Sequence, residues 1–181
     1  MDNNTTYGYW RVIARHCRYT IPEDFARPEY VGEVKCPEDL SALTIGQLIE
    51  IGEASGADTD YRIIDIVLGM GKEQADKCRA TEVVAFLSWI GRQVKRINKL
   101  FESIQTRPTA KEKQAGVDNL QFGLFGILDW YAKRMGITNH DEVLTVPWLR
   151  IYKCMEMDNK VEQYQRRYNE ISMQEARRKK K

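Results

Sequence analysis

A chain of 181 residues has room for one sizeable domain, or a domain plus an arm, and none for two independent enzymes. Its 43% apolar and 30% charged residues are ordinary for a folded soluble protein and too apolar for a wholly disordered one. The net charge of +2 hides an asymmetry: residues 160–181 hold eight basic and three acidic residues, a local +5, which leaves −3 for everything before them.

No run of about 18 uncharged apolar residues exists, which excludes a membrane-spanning helix. The start, MDNNTTYGYW, lacks a basic region followed by an apolar one, so a secretory signal is not expected and the chain reads as cytoplasmic. Cys17, Cys36, Cys78 and Cys154 are scattered without a CxxC pair, against both a zinc site and a disulfide framework, and read as reduced packing residues.

Residues 1–38 read as an irregular, aromatic-rich arm. Pro22, Pro28 and Pro37 interrupt any long element there, and YWRVIARHC fits a short strand or a helical turn equally. Tyr7, Tyr9, Trp10, Tyr19, Phe25 and Tyr30 suit a segment laid across another surface, of its own domain or of a neighbouring subunit.

Residues 39–145 read as a helical domain. Thr44 followed by Gln47 is a capping-box pattern that opens a helix of about two turns. Gly56 closes it, and Thr59 or Asp60 can cap a second helix, YRIIDIVLGM, that stops near Gly69 and Gly71. In 81–105, Val83, Leu87, Ile90, Val94, Ile97, Phe101 and Ile104 recur at spacings of four and three, one stripe of a helix roughly 38 Å long at ~1.5 Å per residue. Val84, Phe86, Trp89 and Leu100 widen that surface, so more than one neighbour is expected. Gly91, in its middle, costs about 1 kcal/mol against alanine and reads as a point of close backbone approach.

Pro108 ends that run, and Thr109 with Glu112 forms another capping box. A helix is expected over much of 109–135, weakened by Gly116, Gly123 and Gly126 and stopped by Gly136. Its fit is good after about Asn119, where Leu120, Leu124, Ile127 and Tyr131 keep helical spacing. A short turn around NHDEVL starts at Asn139.

Residues 146–181 read as one long helix with a basic end. Thr145 caps it, and Pro147 sits in its first turn. Met157, Val161, Tyr164, Tyr168 and Ile171 recur at spacings of four, three, four and three on an otherwise charged helix. If the helix leaves the domain, this stripe needs a partner; the alternative is that it folds back. The expected fold is thus all-α: a compact domain of five to six helices with an irregular N-terminal segment and a projecting C-terminal helix.

Few residues invite chemistry. His16 beside Cys17 is poorly placed for proton transfer, and His140 reads as an exposed residue at a helix start. Asp58, Asp60, Asp65, Glu50 and Glu53 lack calcium-loop spacing and read as a solvated acidic surface. No Walker loop, GxGxxG or GxSxG is present. No catalytic, metal or cofactor residue is assigned, and an enzyme is not expected. Arg166, Arg167, Arg177, Arg178, Lys179, Lys180 and Lys181 form a basic patch suited to nucleic acid, to an acidic protein or to solubility, with nucleic acid not favoured.

The phrases LSALTIGQLIEIGE, DYRIIDIVLGM and KCRATEVVAFLSWI resemble the early part of tail assembly chaperones, small helical proteins of tailed bacteriophages and prophages. The likeness covers roughly residues 38–155, and FGLFGILDWYAKRMGITNHDEVLTVPWLRIYK follows the family's layout more loosely. It implies a non-enzymatic protein that binds a tape-measure protein, often as an oligomer, in the bacterial host cytoplasm. The aromatic segment 1–37 and the basic helix fall outside the likeness. They point to an alternative, a structural virion or connector component that clasps neighbouring subunits, and a nucleic-acid-binding module through the basic end is a second alternative.

Overall fold

A computed structural model describes residues 4–17, 25–104, 108–120 and 122–179. Among them are nine α-helices, a short 3-10 turn and one two-stranded hairpin, so the protein is all-α apart from that hairpin. The chain divides into two compact units, Met1–Asn98 and Lys99–Lys181.

The first unit opens on α1 (Tyr7–Cys17), where a strand and a helical turn were equally open and an irregular arm was expected. Its period was hard to read because apolar residues occupy two faces. Tyr7 is buried, whereas Tyr9, Val12 and Ile13 are exposed. The chain at its start is pinned alongside residues 78–80 by two backbone bonds of 2.9 Å, Tyr7 N–H to the Cys78 carbonyl and Ala80 N–H to the Thr5 carbonyl. A hairpin follows, β1 (Tyr30–Val31) against β2 (Val34–Lys35), antiparallel, with Val31 opposite Val34. Its tip needs glycine: Gly32 has φ +59°, and an added Cβ would lie 2.8 Å from the Cys78 sulfur. Tyr19 and Pro22 lie outside the described residues.

Helix α2 (Ile45–Glu53) begins with the expected capping box. The Thr44 hydroxyl accepts from Gln47 N–H, and the Gln47 side chain accepts from Thr44 N–H. Ile45, Leu48 and Ile51 form its buried face. Helix α3 (Thr59–Leu68) ends on left-handed Gly69, but neither Thr59 nor Asp60 caps it; the cap position is Asp58, without a side-chain bond. Helix α4 (Lys72–Lys77) is a short element that the periodicity did not reveal. Its six residues are too few to show a period.

Helix α5 (Ala80–Ile104) matches the expected 81–105 stripe and runs from the first unit into the second. The stripe has two grades of burial. Val83, Ile90, Ile97 and Ile104, every seventh residue, are buried, while Leu87, Val94 and Phe101 between them are half-buried. Gly91 does not mark close backbone approach, as a Cβ there would meet nothing within 4 Å.

In the second unit the helix expected over much of 109–135, its first part open to being loop and its fit good after about Asn119, is three elements. Helix α6 (Ala110–Gln114) starts at the Thr109–Glu112 capping box and ends where Gly116 takes φ +85°. A 3-10 turn (Val117–Asn119) follows, then α7 (Gly123–Met135), stopped by Gly136 at φ +69°. Helix α8 (His140–Leu144) is capped by the Asn139 side chain. Helix α9 (Trp148–Lys179) is 32 residues long, about 48 Å. Thr145 does not cap it; its hydroxyl donates to the Glu142 carbonyl at the end of α8. Leu128, Tyr131, Val143, Trp148 and Ile151 are buried, and Phe101 packs edge-on against Tyr152 at 5.7 Å.

Candidate protein-binding surface

Helix α9 docks in its unit by one face and presents another to solvent. On the docked face Trp148 and Ile151 are buried and Met155 and Asn159 half-buried, and the Asn159 amide donates to the carbonyl of Ile104, the last residue of α5, at 2.6 Å. That bond satisfies a carbonyl the helix end leaves without an intrahelical partner. Ion pairs fix the helix further along: Arg134 on α7 to Asp158 at 2.5 Å, and Arg166 to Glu112 on α6 at 3.1 Å.

At ~100° per residue the stripe Met157, Val161, Tyr164, Tyr168 and Ile171 is centred roughly 160° around the helix from that docked face. All five are 55–65% exposed, and Met173 beyond them is 61% exposed. Tyr164 and Tyr168 stack on each other at 6.3 Å, one turn apart. The two alternatives in the sequence are therefore reconciled: α9 folds onto its own unit, but with a different face, and the stripe stays open. From Arg167 to Lys179 every residue is exposed. Spacing of four and three is the signature of a face that packs against another helix, and nothing among the described residues covers this one.

The basic residues are not brought together as one patch. Arg166 lies on the docked side and is held by Glu112 and by Glu162 at 2.6 Å. Arg167 is exposed, and Arg177, Arg178 and Lys179 lie about 15 Å further along the helix. Lys180 and Lys181 lie outside the described residues.

Of the acidic cluster, Glu53, Asp58 and Asp65 are exposed, as a solvated surface requires, whereas Asp60 is half-buried in a clasp. Arg11 on α1 holds Asp60 by two bonds, Nε at 2.6 Å and Nη2 at 2.8 Å, and reaches Asp58 at 2.9 Å. Its guanidinium stands 4.2 Å from the centre of the Tyr61 ring. Tyr7 donates to Asp60 and Tyr61 to Asp76. Burial, then the bond to Asp76, pushes the Tyr61 hydroxyl up to about 12, and burial with Asp60 raises Tyr7 as well. Arg11 holds the Asp58 carboxyl below its usual range. This is a structural clasp between α1 and α3: every polar group in it is engaged by a neighbour.

Beside the clasp lies an open groove of about 660 Å³. Tyr7, Trp10 and Ala14 of α1 form one wall and Leu87, Ile90 and Val94 of α5 the other. Gly52 and Gly91 also line it, and a Cβ at either would meet nothing within 4 Å. This explains the half-burial of Leu87 and Val94, which face the groove. The groove and the exposed apolar groups Val12, Phe122 and Phe125 are not legible in the sequence, and the one signal for the groove is the pair of glycines, Gly52 and Gly91, in otherwise good helices.

The residues considered for chemistry stay apart. His16 is exposed on α1 and the Cys17 side chain lies outside the described residues. His140 packs against Phe125, with Nε2 3.5 Å from Asp129. Cys36 and Cys78 are buried thiols, raised by burial. Among the described residues no group of three or more His, Cys, Asp or Glu could hold a metal, and no helix is long and apolar enough to cross a membrane. Comparison of the chain with protein families, curated proteins and solved structures finds no match.

Proposed function

We propose that this chain is a non-enzymatic helical assembly protein that captures a long helical partner on the outer face of α9, in the manner of a phage or prophage tail assembly chaperone. The observation that carries the reading is the five-residue apolar stripe on the side of α9 opposite its docked face. A docked and pinned helix keeps such a face ordered while no partner is present, which lowers the entropy lost on binding. An amphipathic partner helix of tape-measure type would lay its own apolar face on Tyr164 and Tyr168. The bacterial host cytoplasm is the compartment in which it would act.

The test is direct capture. Overlapping segments of a tape-measure-like helical protein, immobilised one by one, should retain the chain, and Tyr164→Ser with Tyr168→Ser should lose at least tenfold in affinity. Retention that is indifferent to those two substitutions would sink the reading. A permanent connector component is the second reading, favoured by a second exposed apolar face at Tyr9, Val12 and Ile13 on α1. Its presence in purified particles would select that reading, since a chaperone departs.

A further inference from the structure

Residues 109–120 are bonded among themselves far more than to the rest of the chain. The capping box starts α6, with Thr109 N–H donating to Glu112 Oε2 at 2.7 Å and Glu112 N–H to the Thr109 hydroxyl at 3.3 Å. Backbone N–H groups carry the pattern on, Lys113 to Thr109, Ala115 to Lys111, Gly116 to Lys113, Asn119 to Gly116 and Leu120 to Val117, at 2.9–3.0 Å. Neither α5 nor α7 continues into the stretch: Pro108 precedes it, and α7 begins beyond it at Gly123, with φ +53°.

Its ties outward are few. No residue of α6 is buried, and Leu120 at the far end is 63% exposed. Among the described residues one bond joins the stretch to another element, Arg166 Nη2 of α9 to Glu112 Oε1 at 3.1 Å. The two carboxylate oxygens of Glu112 thus have separate tasks, Oε2 in the cap of α6 and Oε1 on α9. The same pair is the last tie of α9. Beyond Asn159 no other side chain of that helix bonds to another element among the described residues, and from Arg167 to Lys179 every residue is exposed.

We propose that residues 109–120 are a strap that opens and closes as one unit on the folded chain, latched to α9 by Glu112 and Arg166. A stretch with its own hydrogen bonds and no buried apolar group is the kind that opens while the core stays folded. A partly exposed ion pair adds little stability and is screened by salt, which suits a latch that must part. When it parts, Arg166 keeps only Glu162 on its own helix, and the outer half of α9 loses its hold on α6. The inference stands on these bonds and does not depend on the phage reading.

Native-state hydrogen exchange of the full chain, read amide by amide, tests it. The N–H groups of Glu112, Lys113, Ala115, Gly116, Asn119 and Leu120 should show protection that agrees within about twofold and lies at least about tenfold below that of Tyr131 and Ala132 in α7. Arg166→Ala should lower all six together by about threefold, and so should added salt at about 0.5 M. Glu112→Gln, which keeps an acceptor for the cap but removes the charge, should do the same. Arg167→Ala, at the exposed next position, should leave the six unchanged, and Tyr131 and Ala132 should not move in any variant. Six amides that differ from one another would mean separate fraying and would overturn the proposal. So would protection equal to that of α7, which makes the strap part of the core; no protection at all, which leaves nothing to open; or rates indifferent to both Arg166→Ala and Glu112→Gln.

Discussion

Arg11 on α1 grips both carboxylate oxygens of Asp60 on α3, at 2.6 and 2.8 Å, with its side chain only 12% exposed. A bidentate guanidinium–carboxylate pair away from bulk water is the strong form of this interaction, and deleting one partner strands the other. Arg11→Ala should therefore lower unfolding free energy by about 2 kcal/mol, the range for hydrogen bonds to charged groups. Arg11→Lys should recover part of it, since an ammonium cannot make the planar fork. Urea titrations of the three proteins check the order.

Gly91 gives a prediction of opposite sign. With φ in the helical range, an exposed position and open space at its Cβ, nothing in the folded chain opposes a methyl group. Gly91→Ala should stabilise the monomer by about 1 kcal/mol through the unfolded state's lost freedom. A destabilised variant in thermal melts would mean that the groove floor is occupied in the folded monomer.

The long elements were legible because their cause is local. The α5 stripe has seven members at spacings of four and three, and the Thr44–Gln47 and Thr109–Glu112 boxes bond within four residues, so side-chain order alone specifies them. What escaped depends on residues far apart in the chain. Helix α1 was obscured because Tyr7 faces the core while Tyr9, Val12 and Ile13 face outward, and its anchoring ion pair to Asp60 spans 49 residues. Asp60 looked solvated for the same reason, since its cation lies on α1. The α9 stripe was legible as a helical face, but which side of the helix docks is decided by Trp148, Ile151 and the Asn159–Ile104 bond, and no local pattern states that.

The Asp58 carboxyl makes the clasp sensitive to acid. The bond from Arg11, with Lys72 nearby, holds it below its ordinary value of 3.8. The folded chain thus takes up this proton less readily than the unfolded one. The stabilisation is fully present above the ordinary value and is lost as pH falls through the lower folded value. Asp58→Asn should flatten that part of a stability–pH curve. Carboxyl NMR of the native chain should place the Asp58 midpoint below that of an exposed aspartate; a midpoint at 3.8 would show that the clasp exerts no pull.

The two faces of α9 should separate stability from binding. Ile151, fully buried on the docked face, should cost about 3 kcal/mol when cut to alanine, through lost transfer energy and the cavity left behind. Ending the chain after Arg166 keeps its ion pair to Glu112 and removes only residues that are exposed in the described part of the chain. That truncation should shift unfolding free energy by no more than about 0.5 kcal/mol, as surface changes do, while it takes away Tyr168 and Ile171. Partner capture should fall with it, whereas Ile151→Ala, studied where it remains folded, should retain it. If the truncation instead destabilised the chain as much as Ile151→Ala, the outer face of α9 would be part of the core of the fold, and the binding role could not be assigned to it.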